Sequence, residues 1–236
     1  LVTYSMIFAV AVGVPLGVIS ATKKDRMADQ AARVFSISAT AMPQYWTGIL
    51  AFIVFSLYFK ILPVSGRINP TLDIPTRITG WFTIDSLITL NSATLVSSVS
   101  HLIMPVIILS LPSIAQITRV VRASVLEEKE KDYVLTLRAN GLPEGVIVYK
   151  YMLKTAFIAA LSIIGLTYGT LIGGAFLVES VFGWPGVANL GAQAVLKKDF
   201  NLIVGFTIVI GTIIIAINFL VEVAYGYLDP RIRHGE

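Results

Sequence analysis

Five stretches of this sequence stay apolar for as long as it takes a helix to cross a lipid bilayer. They run from about Leu1 to Thr22, Phe35 to Phe59, Leu102 to Val121, Thr155 to Val178 and Leu202 to Tyr225. A helix rises 1.5 Å per residue, so about 20 residues traverse a hydrocarbon core of about 30 Å. Within each stretch the apolar residues surround the axis instead of forming one stripe, which suits lipid and not the surface of a soluble domain. Backbone in lipid must satisfy its own hydrogen bonds, so the chain is expected to be an all-α integral membrane protein, a single helical bundle over residues 1–236. The first stretch has no basic start and is too long for a signal peptide. It begins without Met inside apolar sequence, so the chain is expected to continue upstream.

Composition supports this reading and narrows the function. Of 236 residues 56% are hydrophobic and 14% charged, with mean hydropathy +0.80, whereas soluble domains carry about 25% charge. Such apolar content excludes a disordered chain. The absence of cysteine excludes a disulfide scaffold, thiolate catalysis and iron–sulfur ligation. The net charge of +4 does not point to nucleic acid, because the bases are sorted by side of the membrane. Thirteen of the 18 bases fall in the first connection (Lys23, Lys24, Arg26, Arg33), the 119–154 segment and the tail (Arg231, Arg233). Five, at Lys60, Arg67, Arg77, Lys197 and Lys198, fall on the other side. Positive charge accumulates in the cytoplasm, so residue 1 is expected outside and the C-terminus inside.

No catalytic constellation emerges. His101 and His234 lie on opposite predicted sides, and the nucleotide-binding pattern GxxxxGK[ST] is absent, so no catalytic residue, metal ligand or cofactor site is assigned. Glu222, following Asn218 in the last span, is an acid near membrane depth; it snorkels, pairs or relays protons. Glu179 sits past the end of the fourth span, with the same choices. Gly169, Gly173 and Gly174 have the spacing that lets helices approach closely, or they line a pore. Gly13, Pro15 and Gly17 favour a bend in the first span, as do Pro105 and Pro112 in the third. Between the second and third spans residues 60–101 are polar and broken by prolines. Within them ITGWFTIDSLITL is expected to form a short helix at the outer surface, with Trp81 and Phe82 either interfacial anchors or loop-core contacts.

The 122–154 segment is too long and too patterned for a connector. Helix-forming residues run from Arg122 to Asn140, Gly141 breaks the helix, and Pro143 suits the first turn of a second short helix from Glu144 to Tyr151. A helix–Gly–helix element of this kind either folds against its own bundle or presents Leu142, Val146, Ile147 and Tyr149 to a partner.

At this segment the sequence resembles the inner-membrane permease subunits of binding-protein-dependent ATP-binding-cassette importers, in particular the dipeptide/oligopeptide and nickel group. DYVLTLRANGLPEGVIVYKYMLKTAFIAAL resembles the family's cytoplasmic loop, with Gly141 at its glycine; the loop's usual acid is absent, since its three-residue core falls on Leu135, Thr136 and Leu137. MPQYWTGIL, LPVSG, HLIMPVIILSLPSIAQITRVVRASVLE, LIGGAFLVESVFGWPGVANLGAQAVLKKDF and LDPRIR extend the resemblance along nearly the whole chain. It implies a six-span fold of which these are the last five, and a transporter half without enzymatic activity. The implied partners are a second permease, two ATPase subunits, an extracytoplasmic substrate-binding protein and membrane lipid. Arg138, Gly141, Leu142, Glu144, Val146 and Ile147 would form the ATPase-coupling contact. Phe182, Trp184, Pro185 and Gly186 would lie near the outer gate or the binding protein. Peptides are the leading substrate, with oligosaccharides and nickel as alternatives. An ion-coupled secondary transporter and a non-transporting scaffold are the readings from other classes.

Overall fold

The computed structural model describes residues 1–228, so Arg231, Arg233, His234 and most of LDPRIR lie outside the described residues. The described chain is helical, without strands: α1 (Val2–Thr22), α2 (Met27–Ala41), α3 (Gln44–Ala51), α4 (Phe82–Ile88), α5 (Ser92–Lys129), α6 (Asp132–Ala139), α7 (Glu144–Val146), α8 (Leu153–Val181), α9 (Val187–Leu196) and α10 (Phe200–Leu228). A π-helical stretch, Phe52–Tyr58, continues α3, and another, Ile147–Met152, joins α7 to α8. Four helical runs are long and apolar enough to cross a membrane: α1, α5, Glu144–Val181 and Phe200–Tyr227. The bent pair Met27–Ala41 and Gln44–Tyr58 makes a fifth if it counts as one span.

That bent pair departs from the straight second span expected between Phe35 and Phe59. Pro43 has no N–H to donate and disfavours helical geometry in the residue before it, so the helix stops at Ala41. Pro43 itself is extended (φ −60°, ψ 132°) and heads α3. The third span is longer than expected. α5 has 38 residues, because the good helix formers of RASVLEEK carry it past the apolar segment. Pro15 lies within α1 and Pro105 and Pro112 within α5 without interrupting either helix.

The chain divides into two compact units. One holds Leu1–Ser5, Met42–Leu109 and Ile172–Thr207; the other holds Met6–Ala41, Ser110–Leu171 and the described residues from Ile208 to Leu228. The second unit contains the main apolar cluster, with Val18, Ile117, Val121, Val125, Val134, Ile147 and Met152 among its buried members. Here Gly13 and Gly17 act as contact surfaces. A Cβ on Gly13 would lie 3.0 Å from Ile117 Cβ, and one on Gly17 would lie 2.7 Å from Val121 Cβ. Thr118 Oγ1 donates across the same contact to the Gly13 carbonyl at 3.2 Å. The glycines let α1 and α5 touch backbone to side chain, which is the close approach small residues permit in membranes.

An ionic hub lies in the same unit. The fully buried Asp29 carboxylate accepts from Arg122 Nε and Nη2 at 2.7 and 2.9 Å. It also accepts from Ser20 Oγ at 2.5 Å and the Asp25 N–H at 2.9 Å, and Arg33 lies 3.1 Å away. The α1–α2 turn and α5 are thereby tied at one carboxylate.

Candidate functional site

The 122–154 segment folds into an elbow built in steps. α5 ends at Lys129, and the chain turns at once into α6, whose N-cap residue is Lys131. Glu128, in the last turn of α5, is buried and accepts a 2.6 Å hydrogen bond from the Tyr133 hydroxyl; Lys131 Nζ pairs with its other oxygen. Burial, and then the neighbouring Glu128 carboxylate, push the Tyr133 phenol well above its ordinary pKa, so it stays a proton donor. Val134 is fully buried beside it. These contacts fix the orientation of α6 on the end of α5.

α6 is closed by Gly141. At φ +77° this residue occupies the left-handed region that glycine enters without a Cβ penalty. Its N–H donates to the Arg138 carbonyl at 2.9 Å, and the Leu142 N–H donates to the Leu137 carbonyl at 3.2 Å. This pair of bonds is how a glycine-terminated helix satisfies its last carbonyls, and it is accompanied by an apolar contact across the turn. Leu137 and Leu142 both pack against the apolar cluster. Arg138 then bridges the elbow to Glu144 through Nε at 2.5 Å and Nη2 at 3.3 Å.

Two expectations change here. The second short helix, Glu144 to Tyr151, is not a separate element. Helix runs from Glu144 to Val181, because no proline follows Pro143 until Pro185. The predicted contact surface is also redistributed. Ile147 is fully buried in the cluster and Leu142 packs against it, so both turn toward their own bundle. The apolar side chains open to the outside are Leu135, Val146 and Tyr149. Leu135 has no distinguishing mark in the sequence, since its exposure depends on Val134 being the residue that α6 buries. Glu128, Tyr133 and Asp29 carry no distinguishing mark in the sequence either. A buried acid and a solvated one look alike until their donors are placed.

The FGWPG segment is equally specific. Phe182 and Trp184 are buried, Gly186 is half-buried, and Pro185 is exposed. The Phe182 carbonyl accepts the Gly66 N–H at 3.1 Å, which docks the LPVSG loop onto this corner. The Arg67 guanidinium lies 3.9 Å from the centre of the Phe82 ring and 5.8 Å from that of Trp184, within cation–π range. Glu179 lies inside α8 rather than past its end, and is buried; its Oε2 accepts the Asn189 N–H at 2.8 Å, capping the start of α9. A Cβ on Gly186 would fall 1.9 Å from Glu179 Oε1, so only glycine leaves room for that carboxylate. A shallow groove of about 320 Å³ runs along Pro185, Gly186, Val187, Asn189, Leu190 and Gln193.

The remaining candidates separate. Gly174 faces Gln44, whose Oε1 is 2.6 Å from where a Cβ would sit, whereas Gly173 has open space beside it and Gly169 meets only Ile214 at 4.0 Å. His101 is buried in α5, with Nδ1 2.7 Å from the Ser97 carbonyl, and Glu222 is exposed on α10. Among the described residues no three of His, Cys, Asp or Glu gather as a metal site.

Comparison with known proteins adds a consistent set of similarities. Residues 13–234 match the family described as binding-protein-dependent transport system inner membrane component. The dipeptide transport system permease protein DppB of Escherichia coli K12 is 36% identical over 232 residues, covering 98% of this chain and 68% of that protein. The di/tripeptide transport system permease protein DppB of Pseudomonas aeruginosa UCBPP-PA14 is 36% identical over 230 residues, with the same coverage. The probable D,D-dipeptide transport system permease protein DdpB of Escherichia coli K12 is 34% identical over 231 residues, again covering 98% and 68%. In fold, the chain is similar to the MetNI methionine ABC transporter solved in inward facing conformations. That likeness has a TM-score of 0.65 at 14% identity, over 97% of this chain and 91% of the other.

Proposed function

The chain belongs to the binding-protein-dependent transport system inner membrane components, and from that premise we propose that it is one of two permease subunits lining the path of a di- or oligopeptide importer. It is a multi-pass membrane permease, and permeases of this family are not enzymes. ATP hydrolysis belongs to two separate ATPase subunits, and an extracytoplasmic binding protein delivers the substrate. The observation that carries the peptide reading is the 36% identity to dipeptide permeases over 98% of the chain.

The geometry of the 122–154 elbow supports a coupling role for it. α6 is a short helix held rigidly at both ends, by Glu128–Tyr133 at its start and by the Gly141 closure at its finish. A force applied to its exposed side therefore reaches α5 and the Glu144–Val181 run directly. The ATPase contact comprises Leu135, Val146 and Tyr149, edged by the Arg138–Glu144 pair, with Gly141 as the pivot. The excess of bases in this loop supports a cytoplasmic placement, with residues 60–101 and Pro185–Gly186 on the outer face.

The test is reconstitution with a second permease, both ATPases and the binding protein. Dipeptide uptake should require ATP and the binding protein. A cysteine replacing Leu135 should crosslink to an ATPase subunit, and one replacing Lys129 should resist an impermeant thiol reagent added outside intact cells. An active importer that gives no crosslink from Leu135→Cys would remove the coupling assignment, and uptake of sugars or nickel but not peptides would remove the substrate.

A further inference from the structure

α4 is built inside out for a helix in water. It has seven residues, Phe82–Ile88, too short to cross a bilayer. Asp85 and Ser86 are buried, at 1% and 0% exposure, while Ile84, Leu87 and Ile88 are open at 37%, 60% and 54%. These three positions are related by i, i+3 and i+4, so one helical face is aliphatic and outward while the polar residues point in. Leu90, just beyond, is 87% exposed. A solvated outer-loop helix would show the reverse arrangement.

The rotation of the helix is pinned. The Asp85 carboxylate accepts from the Thr79 N–H and Oγ1, both at 2.7 Å, and from the Gly80 N–H at 3.0 Å. Burial works against its charged form, yet these hydrogen bonds outweigh it and hold the carboxyl below its ordinary range. Turning α4 to hide its leucine and isoleucines would break all three bonds.

The neighbourhood also carries the residue types found at a bilayer edge. Tyr4, in the membrane-crossing α1, hydrogen-bonds Thr83 through its hydroxyl, and its ring centre is 5.1 Å from that of Trp81, so α4 is docked against a membrane helix. Tyrosine and tryptophan are enriched at membrane–water interfaces. Two guanidinium groups flank Gly80. Arg67 donates to its carbonyl at 3.0 Å, and Arg77 Nε lies 3.6 Å from where its Cβ would be. Neither arginine is ion-paired with a carboxylate among the described residues. Arg77, Trp81 and the Ile84–Leu87–Ile88 face thus lie close together along the chain, with Ile74 and Ile78 also exposed in the coil before α4.

We propose that α4 is seated in membrane lipid, its Ile84–Leu87–Ile88 face against acyl chains and Arg77 at headgroup phosphate level, so that the 60–91 segment anchors to the bilayer without crossing it. This does not depend on the transported substrate or on the ATPase contact. The test is fluorescence quenching in the assembled transporter, reconstituted in phosphatidylethanolamine/phosphatidylglycerol vesicles. A bimane on Leu87→Cys should be quenched several-fold more by nitroxide-labelled lipid than one on Asp73→Cys in the preceding coil, and should resist aqueous iodide. Ile88→Cys, on the same face, should repeat the result in a second protein. Quenching by iodide at both positions would put α4 in water and overturn the proposal. Protection from both quenchers would mean that a protein subunit covers the face, and would overturn it equally.

Discussion

Replacing Arg122, on α5, by methionine should destabilise the protein by stranding the buried Asp29 carboxylate at the α1–α2 turn. The substitution keeps most of the side-chain volume and removes only the guanidinium. Asp29 would lose its two shortest charged donors, at 2.7 and 2.9 Å, while its side chain has no exposure through which water can replace them. Stranding one partner of a buried ion pair costs about 3–5 kcal/mol. Ser20, the Asp25 N–H and Arg33 would still hold the carboxylate, which places the expected loss at the lower end, about 3 kcal/mol. For a chain of this size each kcal/mol moves the thermal midpoint by about 2–4 °C, so the variant should melt about 6–12 °C lower. The assay is a double-mutant cycle in the detergent-solubilised complex, comparing Arg122→Met, Asp29→Asn and the pair together. Neutralising Asp29 removes the stranded charge, so the double variant should be more stable than Arg122→Met alone. Strictly additive losses, or a loss below about 1 kcal/mol for Arg122→Met, would show that the pair is not coupled as its geometry requires.

Two further substitutions test the helix contacts. Gly141→Ala places its Cβ in open space, so the cost should come from the left-handed backbone alone, about 1–2 kcal/mol, and Gly141→Asn should cost less. Limited proteolysis between Asn140 and Pro143 should increase in the order Gly, Asn, Ala; equal resistance would refute a backbone origin. Gly17→Ala drives a Cβ to within 2.7 Å of Val121 Cβ and 2.9 Å of the Thr118 carbonyl oxygen, so it should lower the melting temperature of the complex. Val121→Ala removes the Cγ1 contact at 2.8 Å but keeps the Cβ at 2.7 Å, so it should restore little of that loss; full restoration would mean that the Cγ1 contact alone carries it.

Much of the architecture was legible without coordinates. Length and all-round apolarity of the segments identified membrane helices, since hydrocarbon imposes the same demand on every residue it surrounds. Gly141 as a helix terminator was legible because its reason is local: a left-handed residue one step past a helix end favours glycine in any protein. Pro43 carries an equally local signal, but it falls inside the length that summed apolarity assigns to one span, Phe35 to Phe59, which masks the break.

What lay beyond the sequence is the set of choices made between segments. Glycines spaced four apart occur at Gly13/Gly17, Gly165/Gly169 and Gly169/Gly173, yet a Cβ on Gly13 or Gly17 would press into α5 at 3.0 Å or less whereas one on Gly173 would meet nothing within 4 Å. Ile147 and Val146 are adjacent and equally apolar; the cluster around Val134 and Met152 takes Ile147 and leaves Val146 out. Asp29, Asp85, Glu128 and Glu179 read as ordinary surface or interfacial acids until Arg122, Thr79, Tyr133 and the start of α9 are brought to them. α4 shows the same division: its aliphatic and polar residues are plain in the sequence, yet which face turns outward was set by three donors from Thr79 and Gly80. The sequence by itself determined that the chain enters a membrane, that a helix closes at Gly141 and which family pattern it follows, because those depend on one residue's backbone or on summed apolarity. The tertiary structure decided which acids are buried and which glycines are contacts, because each depends on how a donor or side chain from another element is placed, whether 5 residues away, as Tyr133 is from Glu128, or 93, as Arg122 is from Asp29.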